Sequence, residues 1–208
     1  MILEARGITH YYKHDLALDN VDFTAKKGEF IAIVGESGGG KSTLLSILSS
    51  LLRPTQGELF FEGKAYAQIK DIDAFRQKEV GFIFQFHYLI GYLTILENIK
   101  LAAIDKKSPY IDTLFEQCGI EAIKAKYPDE ISGGQRQRAA IVRALVNAPK
   151  IIFADEPTGN LDSHNSHTIY ELFKSLSKNG TTIIIATHDR NVSAYTDKII
   201  EVTDGKIL

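Results

Sequence analysis

The segment Gly35-Glu36-Ser37-Gly38-Gly39-Gly40-Lys41-Ser42-Thr43 directly follows the apolar run Phe30-Ile31-Ala32-Ile33-Val34. The spacing G-x-x-x-x-G-K-[ST], set between a strand and a helix, is that of a phosphate loop. Its glycines let successive backbone N–H groups turn inward on a polyphosphate. The Lys41 ammonium reaches the outer phosphates and the Ser42 hydroxyl joins a Mg²⁺ shell. A bare Gly-rich turn needs neither the lysine nor the hydroxyl. A helix expected from about Lys41 to Leu52 would bring its positive N-terminal end beneath the phosphates.

Further residues fit the same chemistry. Ile151-Ile152-Phe153-Ala154 is an apolar strand that ends in Asp155-Glu156. An acid at the carboxyl end of a buried parallel strand can hold Mg²⁺ (Asp155), and its neighbour Glu156 can polarise an attacking water. His188 follows Ile183-Ile184-Ile185-Ala186-Thr187, at another strand end, where an imidazole could touch the terminal phosphate. Gln85 closes the short run Val80–Phe84, and its amide could bridge Mg²⁺ or water. Ser132-Gly133-Gly134-Gln135 opens a helix expected from about Gln135 to Asn147; a serine cap and bare glycines make a second helix start suited to phosphate. Two phosphate cradles with one Lys41 and one acid pair suggest that the second cradle closes on another chain's nucleotide. The histidines at 10, 14, 87, 164 and 167 have no metal-site spacing.

These residues need a scaffold with several strands ending at one edge. Ile2–Thr9, Val21–Ala25 and Glu58–Glu62 alternate as strands of an antiparallel sheet. Phe30–Val34, Val80–Phe84, Ile151–Ala154 and Thr182–Ala186 are near-continuous apolar runs, as in parallel strands buried on both faces. From about Leu93 to Pro128 the spacing turns helical, with Ser108-Pro109 read as a cap followed by Pro at the first helical position. Lys198–Val202 and Lys206–Leu208 frame a terminal hairpin. With the last strand at the final residues, no added regulatory domain is expected.

A chain of 208 residues with 44% apolar content can bury a proper core. Its net charge of −2 argues against nucleic acid as a partner and gives no attraction to an anionic membrane. The single cysteine, Cys118, permits no internal disulfide and is expected as a small buried residue. No apolar stretch reaches the ~18 residues that span a bilayer, and Met1–Arg6 lacks a signal-peptide pattern. A membrane role would need a partner to supply the membrane segment.

Taken in order, the phosphate loop, Gln85, Ser132–Gln135, Asp155-Glu156, Asn160-Leu161-Asp162 and His188 resemble the nucleotide-binding domain of ABC ATPases, over essentially the whole chain. The resemblance implies an α/β fold: a P-loop NTPase core with a mainly parallel sheet, an N-terminal antiparallel β subdomain and an inserted helical subdomain at roughly 86–147, in one domain spanning 1–208. It implies ATP and Mg²⁺ as ligands, with Gly35, Glu36, Ser37, Gly38, Gly39, Gly40, Lys41, Ser42 and Thr43 on the phosphates. Ser42, Gln85 and Asp155 would hold the metal. Ser132, Gly133, Gly134 and Gln135 would bind the ATP of a second copy of the chain, and Asp162, as the D-loop acid, counts with Tyr12, Gln85 and Asp155 among the nucleotide-binding residues. Glu156 would be the catalytic base, and His188 and Lys41 would stabilise developing charge. Tyr12 sits where the family stacks an aromatic ring on adenine, with Tyr11 beside it as the other candidate.

Phe82-Ile83-Phe84-Gln85-Phe86-His87-Tyr88-Leu89, Leu93-Thr94-x-x-Glu97-Asn98 and Ala154–Asp162 are similar to the branch containing the LolD lipoprotein-release, MacB macrolide-export and FtsE cell-division ATPases. Phe86-His87 leans towards the lipoprotein-release member. The resemblance implies a homodimeric ATPase at the cytoplasmic face of the inner membrane, held there by an integral permease-like subunit. An FtsE-like regulator of cell-wall enzymes and a soluble ABC ATPase acting on DNA or the ribosome are the alternatives. Departures from the family pattern are Ile131 for leucine, Gly39 for a small side chain, expected to loosen the loop slightly, and a shortened stretch between Asn98 and Ser132.

Overall fold

The computed structural model describes residues 1–159 and 161–208; Asn160, read above into the Asn160-Leu161-Asp162 motif, lies outside them. The alternating N-terminal sequence forms two long strands, β1 (Leu3–Tyr12) and β2 (Asp15–Ala25), paired from Leu3 opposite Ala25 to Tyr12 opposite Asp15. Both run further than their clean alternation, because register shifts along the pair absorb the irregular residues and carry it on to a tight turn. With β4 (Gln56–Phe61) and β5 (Lys64–Ala65) they make an antiparallel sheet of order β2-β1-β4-β5.

The second sheet contains β3 (Phe30–Val34), β6 (Val80–Ile83), β7 (Ile151–Asp155), β8 (Thr182–Ala186), β9 (Lys198–Thr203) and β10 (Lys206–Ile207), in the order β10-β9-β3-β8-β7-β6. All its pairs are parallel except β9–β10. The two-residue period of a strand divides its apolar residues between two cores. Phe30, Ala32, Ile152, Ala154, Ile183 and Ile185 face one core, and Ile31, Ile33, Ile151, Phe153, Ile184 and Ala186 the other. Burial on both faces explains why these runs are apolar throughout rather than alternating.

Helix α1 (Lys41–Leu48) packs Leu44, Leu45, Ile47 and Leu48 into the core shared with the antiparallel sheet. It ends before Leu52 because Ser50 turns left-handed (φ 67°) and the Leu52 N–H returns to Ser46 O at 3.0 Å. Helix α2 (Ile72–Glu79) is capped by Asp71 and has no buried residue. Between β6 and β7 run α3 (Ile95–Ala102), α4 (Tyr110–Gln117) and α5 (Gly133–Leu145). With α6 (Ser163–Lys178) they fill the other core, which joins Ile95, Ile99, Phe115 and Ile141 to sheet residues Ile83, Ile152 and Ile185. Helix α4 begins at Tyr110, so Pro109 is the cap residue itself rather than the first helical position. Helix α5 begins two residues earlier than the glycines suggest, at Gly133, because Ser132 caps it. Cys118 is buried in the same core, and burial pushes its thiol pKa up to about 11.

Candidate active site

The phosphate loop joins the end of β3 to the start of α1, in the middle of the parallel sheet. Two of its glycines are sterically required. Gly35 has φ +145°, and a Cβ there would lie 2.1 Å from Val202 O; Gly40 has φ +101°, and a Cβ would lie 2.7 Å from Ala17 O. At Gly39 a Cβ would meet Val202 O at 3.0 Å, and both backbone groups are bonded: its N–H to Glu36 O at 3.2 Å, its carbonyl to the Gly205 N–H at 3.0 Å. The glycine at 39 therefore suits a close approach of the β9–β10 hairpin and does not loosen the loop.

Lys41 is buried, and its ammonium donates to Gly35 O at 3.0 Å and Glu36 O at 2.7 Å. It spans the mouth of the loop it belongs to. The Ser42 hydroxyl donates to Asp155 Oδ1 at 3.1 Å, linking the start of α1 to the end of β7. Burial raises the Asp155 carboxyl above the usual carboxylate range; Ser42 and Lys41 oppose the rise, and Glu156 adds to it. A second positive charge arriving beside it would favour the ionised form.

Glu156 follows β7 in a left-handed conformation (φ 46°), unusual for a side chain with a Cβ. Its N–H donates to Ala186 O at 2.8 Å, because β7 and β8 are neighbours. Its carboxylate is fully engaged with the loop after β8. Oε2 accepts from Thr187 Oγ1 at 3.1 Å. Oε1 accepts from the His188 backbone N–H at 3.1 Å and from His188 Nδ1 at 2.8 Å. A carboxylate only accepts, so the shared proton sits on Nδ1 and Nε2 of the exposed imidazole is left to face outward.

Lys41, Ser42, Glu156 and His188 open onto one cleft of about 790 Å³, lined by Tyr12, Asp15, Leu16, Ala17, Ser37, Gly38, Gly40, Lys41, Ser42, Thr43, Gln85, Glu156 and His188. Successive strand residues point to opposite faces, and Tyr12, not Tyr11, faces the cleft. Asp15, Leu16, Ala17 and Thr187 escaped the sequence reading. The first three come from the far side of the β1–β2 turn, and only the register places them. Thr187 had a signal: a hydroxyl between a buried strand and His188.

Ser132–Gln135 do not line this cleft. Ser132 Oγ accepts from the Gln135 N–H at 3.3 Å, and Gln135 Oε1 accepts from the Ser132 N–H at 3.0 Å, a reciprocal cap that leaves the start of α5 on the surface. Gly133 has open space around it. Asp162 caps α6 by accepting from the Asn165 N–H at 2.9 Å and Nδ2 at 2.7 Å, and Asn165 Oδ1 accepts from Arg138 of α5 at 3.1 Å. The two helix starts are thus bonded to each other.

The residues fit a nucleoside triphosphate: a backbone cradle with no room for a Cβ at Gly35 or Gly40, a buried ammonium at its mouth, and a carboxylate–imidazole pair on the same cleft. They also fit a hard cation: the Ser42 hydroxyl and the Gln85 amide line the cleft, and the Asp155 carboxylate stands 3.1 Å behind the Ser42 hydroxyl. Fold and site together define a P-loop nucleotide phosphohydrolase. The model of the ABC transporter family matches residues 18–159. The chain is 41% identical to the lipoprotein-releasing system ATP-binding protein LolD of Aquifex aeolicus, covering 100% of this chain and 96% of that one. It is 37% identical to the macrolide export ATP-binding/permease protein MacB of Mannheimia succiniciproducens, covering 100% of this chain but 34% of that protein. The dimeric structure of MJ0796, a bacterial ABC transporter cassette, superposes with a TM-score of 0.92 at 37% identity, over 99% of this chain and 96% of that one. A post-hydrolysis dimer of the same cassette, bound to ADP and Pi, gives 0.91 at 36% identity, over the same shares. The chain belongs to the ABC transporter family and is an ATP-binding, ATP-hydrolysing subunit.

Proposed function

We propose that two copies of this chain sandwich two ATP molecules, each between one copy's Lys41 cleft and the other copy's Ser132–Gln135. The observation that carries this reading is the separation within one chain: Lys41, Ser42, Glu156 and His188 share a cleft that Ser132–Gln135 do not reach. The dimeric cassette with TM-score 0.92 supports it. In this reading residues 1–208 form one ATP-binding domain with the helical lobe at roughly 86–147.

Gly35–Thr43 cradle the phosphates, and Lys41 exchanges its two carbonyl partners for phosphate oxygens. Tyr12 offers its ring to the adenine. Ser42, Asp155 and Gln85 hold Mg²⁺, which offsets charge on the phosphate oxygens when bound. Glu156 orients a water and accepts its proton as the oxygen bonds to the γ-phosphorus and the bond to the ADP oxygen breaks. The outward Nε2 of His188 faces the γ-phosphate and donates to it when it also carries a proton, and Asp162 lies beside the opposing site.

Closure and reopening of the dimer act on an integral membrane subunit, as the LolD and MacB relatives' names support. The chain would sit peripherally on the cytoplasmic face, held by that subunit; among the described residues no helix is long and apolar enough to cross a membrane. The surface beside Gln85 suits such a partner: Phe86 and Tyr88 are each 64% exposed and Tyr92 81%. Arg143 fixes the backbone under them, donating to the carbonyls of His87 and Tyr88 at 2.6 Å.

The test is a pull-down of the Glu156→Gln chain with ATP from detergent-solubilised membranes of its own cells, identified by mass spectrometry. Recovery of a membrane protein with few spans and a large outer domain is expected. Recovery of only ribosomal or DNA-associated proteins would overturn the transporter reading and leave the ATP chemistry intact.

A further inference from the structure

Two loops carry the reactive pair: Glu156–Gly159 after β7 and Thr187–Asp189 after β8. Behind them, on the side away from Lys41, lies a second cleft of about 770 Å³ that Glu156 and His188 also line. Tyr170 of α6 stands at its floor, 1% exposed. Its hydroxyl reaches both loops, lying 2.7 Å from Thr158 Oγ1 and 3.0 Å from Asp189 Oδ2.

Proton counting fixes the direction of these bonds. A phenol has one proton, and a carboxylate can only accept, so Tyr170 donates to Asp189 and the Thr158 hydroxyl donates to Tyr170. Asp189 is joined to the catalytic carboxylate through Thr187. The Asp189 N–H donates to Thr187 Oγ1 at 3.1 Å, and that hydroxyl donates to Glu156 Oε2 at 3.1 Å. Thr158 is two residues from Glu156 along the backbone, so the bonds close a ring. Within that ring Glu156 holds its left-handed conformation (φ 46°), a backbone state that persists where the surroundings over-determine it. Packing does not require the hydroxyl: a phenylalanine would keep the ring against Tyr195, whose centroid lies 5.2 Å away.

We propose that Tyr170 is a positioning residue for ATP hydrolysis, its hydroxyl tying the loop after β7 to the loop after β8 so that Glu156 and His188 keep the placement that water activation needs. The proposal rests on the roles given to Glu156 and His188 above. Tyr170 does not line the Lys41 cleft, so it acts on turnover and not on ATP binding.

The experiment is steady-state ATP hydrolysis by the full chain with Mg²⁺, alongside thermal melting, for Tyr170→Phe, Thr158→Val, the double variant and Glu156→Gln. Tyr170→Phe is expected to lower kcat roughly 10-fold or more, the scale of a small misplacement of reacting groups, with KM for ATP within about twofold. Thr158→Val breaks the same ring from its other end and should match it, which keeps the test open if Tyr170→Phe does not fold. The double variant should lose no more than either single one. Unchanged kcat, or a loss that follows only the fraction of folded chain or appears in KM, overturns the proposal. If Glu156→Gln turns over like the parent, the underlying assignment fails; if it is slow while Tyr170→Phe is not, this inference alone fails.

Discussion

Replacing Asn98 by alanine tests how the helical segment between β6 and β7 is held. Asn98 is 2% exposed and closes the loop before α3 on itself. Its Oδ1 accepts from the Ile90 N–H at 2.7 Å, and its Nδ2 lies 3.1 Å from Ile90 O, 3.1 Å from Leu93 O and 3.0 Å from Thr94 O. An amide nitrogen has two protons, so three carbonyls share two bonds and the side chain is worth three in all. At about 1 kcal/mol net each, the loss is roughly 3 kcal/mol, and more if the Ile90 N–H finds no water. Chemical denaturation of the parent and Asn98→Ala chains measures it directly. Hydrogen exchange should show the Ile90 and neighbouring amides losing protection. Basal ATP hydrolysis per folded chain should not change, because none of these atoms lines the Lys41 cleft. A destabilisation below about 1 kcal/mol, or a large fall in basal turnover, would refute the reasoning.

Lys41→Ala should weaken ATP binding by ~100-fold, the worth of one charge-assisted contact of about 3 kcal/mol, and a fluorescent-nucleotide titration with an unchanged Kd would contradict the phosphate-loop assignment. Cys118, buried and with its thiol pushed up to about 11, should react with a thiol reagent at pH 8 only as fast as the chain unfolds; immediate labelling of native protein would disprove this. Burial works against the Asp197 anion, but the Lys174 ammonium at 2.6 Å and the Phe30 N–H at 2.9 Å outweigh it and hold its carboxyl below the usual range. The depressed folded value means that its stabilisation is present above an ordinary aspartate pKa of about 3.9 and lost as pH falls through the folded value. Asp197→Asn should therefore cost about 1 kcal/mol at pH 7 and make melting less sensitive to pH below 4, and identical acid limbs would count against the bond.

Local chemistry was the readable part of the sequence. The phosphate loop follows its own strand within ten residues, and the Ser132–Gln135 cap needs no distant partner. The apolar runs of β3, β7 and β8 announced burial on both faces. What could not be read was adjacency. Glu156 and His188 each stood at a strand end, but their bond requires β7 beside β8, and no residue in either run specifies that neighbour. Tyr12 was placed by resemblance with Tyr11 as its neighbour, and only the paired strands put Tyr12 on the cleft. Helix α2 passed unnoticed because it buries no residue and so lacks the periodic apolar signal. Tyr170 had no signal in the sequence, because its two hydroxyl partners lie 12 residues before it and 19 after it.

The strand that carries the phosphate loop is bordered by β8 and β9, whose residues lie about 150 positions later in the chain. During synthesis at roughly 5–20 residues per second, Phe30–Val34 therefore waits about 8–30 s for its sheet neighbours. Until then Lys41 has its loop but no sheet to fix it, and the apolar run is a strand with two bare edges. The early chain offers ATP no complete cleft, because Glu156 and His188, which line it, have not yet been made. Nascent-chain arrest before residue 182 should give a product without nucleotide affinity and open to chaperone capture.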